Sequence, residues 1–93
     1  MVIGALTADV HIPDSQSLKS KRRVVRSLKD RMRRKFNVSV AEVDQEDLWQ
    51  RATIAFAVVS TDARHVDEIL ASIREDLSRE PDLLVLDTTT EIL

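Results

Sequence analysis

The sequence predicts an α/β protein of the α+β kind. It reads as a ferredoxin-like β-α-β-β-α-β sandwich whose four-stranded antiparallel sheet, of order 4-1-3-2, carries both helices on one face. Two stretches with helical apolar spacing alternate with stretches of strand-like patterning, in the order strand, helix, strand, strand, helix, strand. The segments between them are short and rich in turn formers, which favours adjacent, right-handed connections. The first and third strands are also the most continuously apolar, as the central pair of such a sheet must be, whereas the second and fourth carry polar positions suited to edges.

Val2 to Ile12 opens the chain with Val2, Leu6, Ala8, Val10 and Ile12 on one parity, and Ile3, Ala5, Thr7, Asp9 and His11 on the other. Pro13 ends this strand, and Gly4 allows close packing against it. Ser17 is placed to cap a helix whose apolar residues Leu18, Val25, Leu28, Met32 and Phe36 recur at helical intervals, and Asn37 is a candidate stop. The stretch VSVAEVD alternates as a second strand up to an acidic turn, Asp44-Gln45-Glu46-Asp47, and a third strand runs back from about Leu48 to Ser60. Its centre, IAFAVV, is apolar on both parities, which marks an interior strand. Thr61-Asp62 precedes a second amphipathic helix with Val66, Ile69, Leu70, Ile73 and Leu77 on one face; Glu80-Pro81-Asp82 ends it before the last strand, LLVLDTTTEIL.

Ninety-three residues fit one domain spanning 1–93, with no linker and no low-complexity segment. The absence of cysteine excludes disulfides, thiol nucleophiles and thiolate metal sites. No apolar run approaches the length of a membrane span, and the first residues lack a basic signal region, so the expected location is the cytoplasm, with no membrane association. Phosphate-loop, dinucleotide, zinc-protease and nucleophile-elbow motifs are missing, and a single glycine cannot build a phosphate-cradling loop. Asp9 and His11 are two apart on one strand, but a catalytic metal needs about three protein ligands; His65 starts the second helix among polar residues. The expectation is a protein with no catalytic residues, no metal and no cofactor.

Charge is the informative feature. Between Lys19 and Lys35 there are ten basic residues against one acid, Asp30, a net of +9. The rest of the chain has four basic and fifteen acidic residues, a net of −11, so the overall −2 conceals a strong segregation. At 100° per residue Lys19, Arg22, Arg26, Lys29 and Arg33 fall in one stripe, roughly 40° to 120° from Val25, about 21 Å long. Arg23, Arg34, Arg31 and Lys35 extend the positive surface around the exposed side. Guanidinium groups bind phosphate oxygens bidentately, so the helix can follow a nucleic-acid backbone. The candidate nucleic-acid-binding residues are therefore Lys19, Arg22, Arg23, Arg26, Lys29, Arg33 and Arg34.

A polar helix face can also be merely solvated, yet like charges three or four residues apart repel, and a helix shaped only for solubility would mix its signs. The competing expectation is neutralisation by protein acids: Asp44, Glu46 and Asp47 at the hairpin tip can face Lys19, Lys21, Arg22 or Arg23, within the chain or across an interface. Base stacking on the sheet is disfavoured, because the only aromatics are Phe36, Trp49 and Phe56, with none in the first strand and Phe56 on the core parity. Trp49, of opposite parity near the hairpin tip, is suited to packing on its hairpin or on a second subunit. Ile3, Ala5, Thr7, Thr53, Ala55, Ala57 and Val59 make the other sheet face small and mildly apolar, which suits a homodimer. Trp49, Asp44 and Asp47 are thus the candidate interface residues. An oligomeric protein-interaction or small-ligand regulatory module is the alternative function, the ligand part by analogy of fold alone.

The segments HIPDSQSLKSKRRVVRSLKDRMRRKFNVSVAEVD and QEDLWQRATIAFAVVS resemble the YlxP-like family, a bacterial domain-of-unknown-function family numbered 503. The similarity covers essentially the whole chain. It implies a ferredoxin-like fold and no catalytic residue. Genes of the family often neighbour those for transcription-elongation, translation-initiation and ribosome-maturation factors, which points to RNA or the ribosome as partner.

Overall fold

The structure is a computed structural model that describes residues 1–93. The elements are β1 (Val2–His11), α1 (Leu18–Lys35), β2 (Ser39–Asp44), β3 (Arg51–Ser60), α2 (Ala63–Ser78) and β4 (Leu84–Ile92). All neighbouring strands are antiparallel, in the order β2-β3-β1-β4, which is the expected order read from the other edge.

The β1–β3 pairing is unbroken over ten residues, from Val2 opposite Ser60 to His11 opposite Arg51. That register fixes which side chains face inward. Leu6, Ala8, Val10 and Ile12 from the β1 segment meet Ala52, Ile54, Phe56 and Val58 of β3 beneath the helices, all essentially inaccessible to water. Val25, Leu28 and Met32 of α1 and Val66, Leu70, Ile73 and Leu77 of α2 join the same cluster, so both helices cover one face. Only Val40 of β2 is fully buried, as expected of a short edge strand.

Both helices start where the sequence places them. The Ser17 hydroxyl accepts from the Ser20 amide, and the Asp62 carboxylate accepts from the Arg64 amide, each satisfying a donor that the first turn leaves free. At its other end α1 stops two residues before Asn37, because Phe36 is already extended, with its amide still bonded to the Met32 carbonyl. The third strand is shorter than expected. It begins at Arg51, and Leu48 and Trp49 lie in the preceding loop, exposed, instead of continuing the strand's alternation.

Gly4 permits the close packing against β1 that the sequence suggests, and the packed element is α2. A β-carbon there would come within 2.2 Å of Val66 Cγ1 and 3.0 Å of Leu70 Cδ1, so the glycine admits α2 onto β1. Val66 is β-branched and stiff, and cannot swing aside cheaply. Gly4→Ala is therefore expected to lower unfolding stability by about 1–3 kcal/mol, read from the urea midpoint, the overpacking outweighing the smaller backbone-entropy gain.

Candidate functional site

One lysine decides how the basic helix faces the rest of the protein. Lys21 lies on the inward side of α1, one turn before Val25, and its side chain is completely buried. Its ammonium donates to Glu42 Oε2 at 2.8 Å and to three carbonyl oxygens, Gln45 at 2.9 Å, Glu46 at 3.0 Å and Arg51 at 3.2 Å. These acceptors come from the end of β2, the β2–β3 loop and the start of β3. The internal neutralisation of α1 by the hairpin is thus real, but its acid is Glu42. Asp44 and Asp47 are exposed and form no ion pair with the helix; Asp44 Oδ1 accepts from the Gln45 amide instead. Glu46 contributes its backbone carbonyl, not its carboxylate.

Gln45 is the residue that makes this arrangement possible. Its φ is 60°, the left-handed region that non-glycine residues avoid at a cost of roughly 1–2 kcal/mol. The turn aims its carbonyl inward at Lys21, while its side-chain amide donates to Thr53 Oγ1 at 2.8 Å and to Asp9 Oδ1 at 3.3 Å on the opposite sheet face. Thr53 in turn donates to Asp9 Oδ1 at 2.7 Å. Asp9 is therefore occupied in holding the hairpin loop, and its hydrogen bonds go to Gln45 and Thr53 and not to His11. No group of three or more His, Cys, Asp or Glu side chains is arranged to hold a metal.

The other nine cations of α1 divide along its length. Near its C-terminal end Arg31 is bonded to Glu80, and Lys35 meets Asp76 Oδ2 at 2.7 Å. Arg33 donates to the Val40 carbonyl at 3.0 Å and lies 3.8 Å from Asp30. The expected continuation of the positive surface through Arg31 and Lys35 is thus largely cancelled by acids from α2 and the loop after it. Lys19, Arg22, Arg23, Arg26, Lys29 and Arg34 have no acidic partner within 4 Å. Of these, Lys19, Arg22, Arg23 and Arg26 alone line a surface hollow of about 450 Å³.

Two features of the expected interface remain open to solvent. Trp49 is 56% exposed in the hairpin loop, packed into no core. On the uncovered sheet face Val59 is 60% exposed, whereas Thr53 is nearly buried by its contacts with Asp9 and Gln45.

The family model described as a protein of unknown function, DUF503, matches residues 3–90. The chain belongs to that family. It is also 32% identical to the uncharacterized protein YlxP of Bacillus subtilis (strain 168), over 97% of this chain and 98% of that protein. A DUF503 chain with this structure carries on α1 the concentration of positive charge that the charge count anticipated, with four of its six unpaired cations in the N-terminal half of the helix. The buried role of Lys21 was missed, although its place four residues before Val25 on the inward face was a usable signal.

Removing the Lys21 ammonium strands the partly buried Glu42 carboxylate and breaks three carbonyl bonds. Lys21→Met is expected to cost about 3–5 kcal/mol of unfolding free energy in urea titrations, and Lys21→Met with Glu42→Gln to recover only part of it. A second expectation concerns acid. The hydrogen bond from Lys35 holds the Asp76 carboxyl below its ordinary value of 3.8, assisted by the Lys35 charge and by Arg79, against a smaller opposing effect of burial. Because the folded state favours the ionised form, its stabilisation is complete at neutral pH. It declines as pH falls below 3.8 and vanishes below the folded-state value. Asp76→Asn should therefore flatten the acid limb of stability against pH, measured by thermal unfolding, with its largest effect near neutrality.

Proposed function

We propose that this DUF503 chain is a non-catalytic RNA-binding or ribosome-associated accessory protein, which holds phosphate backbone against α1. The observation that carries this reading is the set of six cations, Lys19, Arg22, Arg23, Arg26, Lys29 and Arg34, left without acidic partners in a protein whose net charge is −2. Sixteen acids are available in the chain, and the fold brings none of them within 4 Å of these six cations. Repulsion between like charges on adjacent turns then persists in the free protein, and an anionic partner relieves it.

The choice of RNA comes from the family resemblance and its translational gene neighbours. The mode of contact comes from the surface. No aromatic side chain projects from the central strands onto the open sheet face, since Phe56 is buried under the helices and Trp49 lies in the hairpin loop. Recognition is accordingly of phosphate and helical shape, with little reading of base sequence.

The test is titration of labelled structured RNA, with duplex DNA as competitor, across salt from about 50 to 200 mM, where neutralising three to five phosphates gives a log–log slope of roughly −2 to −4.5. Lys19→Glu with Arg22→Glu and Arg26→Glu should abolish binding and leave the fold intact, because glutamate near a helix N-terminus favours the helix. Unchanged affinity of that variant, or no binding at the lowest salt, overturns the reading and turns attention to a protein partner that supplies the acids.

A further inference from the structure

The free cations of α1 are not spread evenly. Lys19, Arg22, Arg23 and Arg26 stand at positions i, i+3, i+4 and i+7, the four corners of one diamond on the helix surface. Every corner has two like-charged neighbours at contact spacing: Lys19 with Arg22 and Arg23, and Arg26 with the same two. These four side chains line the hollow of about 450 Å³ with no acidic or apolar residue among them. The first turn of α1 contains no acid either, so the positive end of the helix dipole adds to the field there. Lys29 and Arg34 lie further along the helix and outside the hollow.

Such an arrangement demands more negative charge than one phosphodiester brings. A single internal phosphate carries one charge and satisfies one or two of the four cations, leaving the others in mutual repulsion. Linked phosphates present several charges on adjacent tetrahedral centres, within reach of three guanidinium forks and one ammonium at once.

We propose that the hollow formed by Lys19, Arg22, Arg23 and Arg26 is a binding site for an oligophosphate group, either the 5′-triphosphate end of an RNA or a free polyphosphorylated small molecule. The inference rests on the same anion-binding reading of α1 given above. It goes further by assigning the phosphates to one cluster at the start of the helix and not to a line along it.

The experiment measures affinity and thermal unfolding of the full chain with inorganic monophosphate, pyrophosphate and tripolyphosphate, at matched ionic strength in chloride. Tripolyphosphate should bind at least about tenfold more tightly than monophosphate, the factor expected of one additional charge-assisted hydrogen bond. Arg22→Gln with Arg26→Gln should lose that preference while unfolding at or above the parent's temperature without ligand, because two repelling charges are gone. Arg64→Gln, an exposed arginine on α2, should keep it. Equal affinity for monophosphate and tripolyphosphate overturns the proposal, as does a preference that survives the double substitution.

A second arm compares one RNA bearing a 5′-triphosphate with the same RNA bearing a 5′-hydroxyl. Tighter binding of the triphosphate form assigns the site to RNA ends, whereas a tripolyphosphate preference with no such difference assigns it to a free oligophosphate. Equal RNA affinities together with equal affinity for the inorganic anions remove the proposal and leave backbone binding by α1 standing. Tight tripolyphosphate binding with no RNA binding at low salt does the reverse.

Discussion

The buried ammonium of Lys21 is the point on which the two layers of this protein are set against each other. An unpaired charge in that place would be prohibitively costly, so the chain must bring four oxygen acceptors to it. They come from both sides of the β2–β3 hairpin, and that requirement fixes the hairpin's end against the start of α1. Gln45 accepts a left-handed backbone to supply one of them, and its amide anchors the loop to Asp9 and Thr53 on the far face. With Lys21 held inward, the rotation of α1 about its axis is settled: Val25, Leu28 and Met32 enter the core, and Lys19, Arg22, Arg23 and Arg26 are turned to solvent.

The two ends of α1 then differ in electrostatic character. Towards the C-terminal end, Arg31 and Lys35 are tied to Glu80 and Asp76, which helps dock α1 beside α2. Cations there also suit the negative end of the helix dipole. In the N-terminal half, Lys21 apart, the cations Lys19, Arg22, Arg23 and Arg26 have no acid to offset them, and the first of them stand where the dipole disfavours positive charge. A sequence shaped for stability alone would place glutamate or aspartate in that first turn. The placement is unfavourable for the isolated helix, and it sets this end of α1 apart from the cleft at the other end, where Arg31 and Lys35 face Asp76, Glu80 and Asp82.

Packing elsewhere follows from the need to bring a helix close to the sheet. β1 is covered on its inner face by residues with no accessible surface, and Gly4 is the place where even a methyl group does not fit below Val66. The opposite face is held together differently. Its small side chains leave Val59 and Ala57 accessible, and its polar contacts concentrate where Asp9, Thr53 and Gln45 meet.

The sequence by itself determined the element order, the strand order, the apolar core positions of both helices such as Val25, Leu28 and Met32 (though not the inward Lys21), and the concentration of charge in one segment. Periodicity reports burial directly, and the charge count needs no geometry. Boundaries were less legible: a loop that tethers α1 replaces the expected start of β3, because backbone carbonyls at Gln45, Glu46 and Arg51 are called to Lys21 by a contact 24 to 30 residues away in sequence. Only the tertiary structure decided which cations are free. Side chains of one kind on one helix look alike in sequence, and whether each meets Glu42, Glu80, Asp76 or water depends on elements that fold against it from distant parts of the chain.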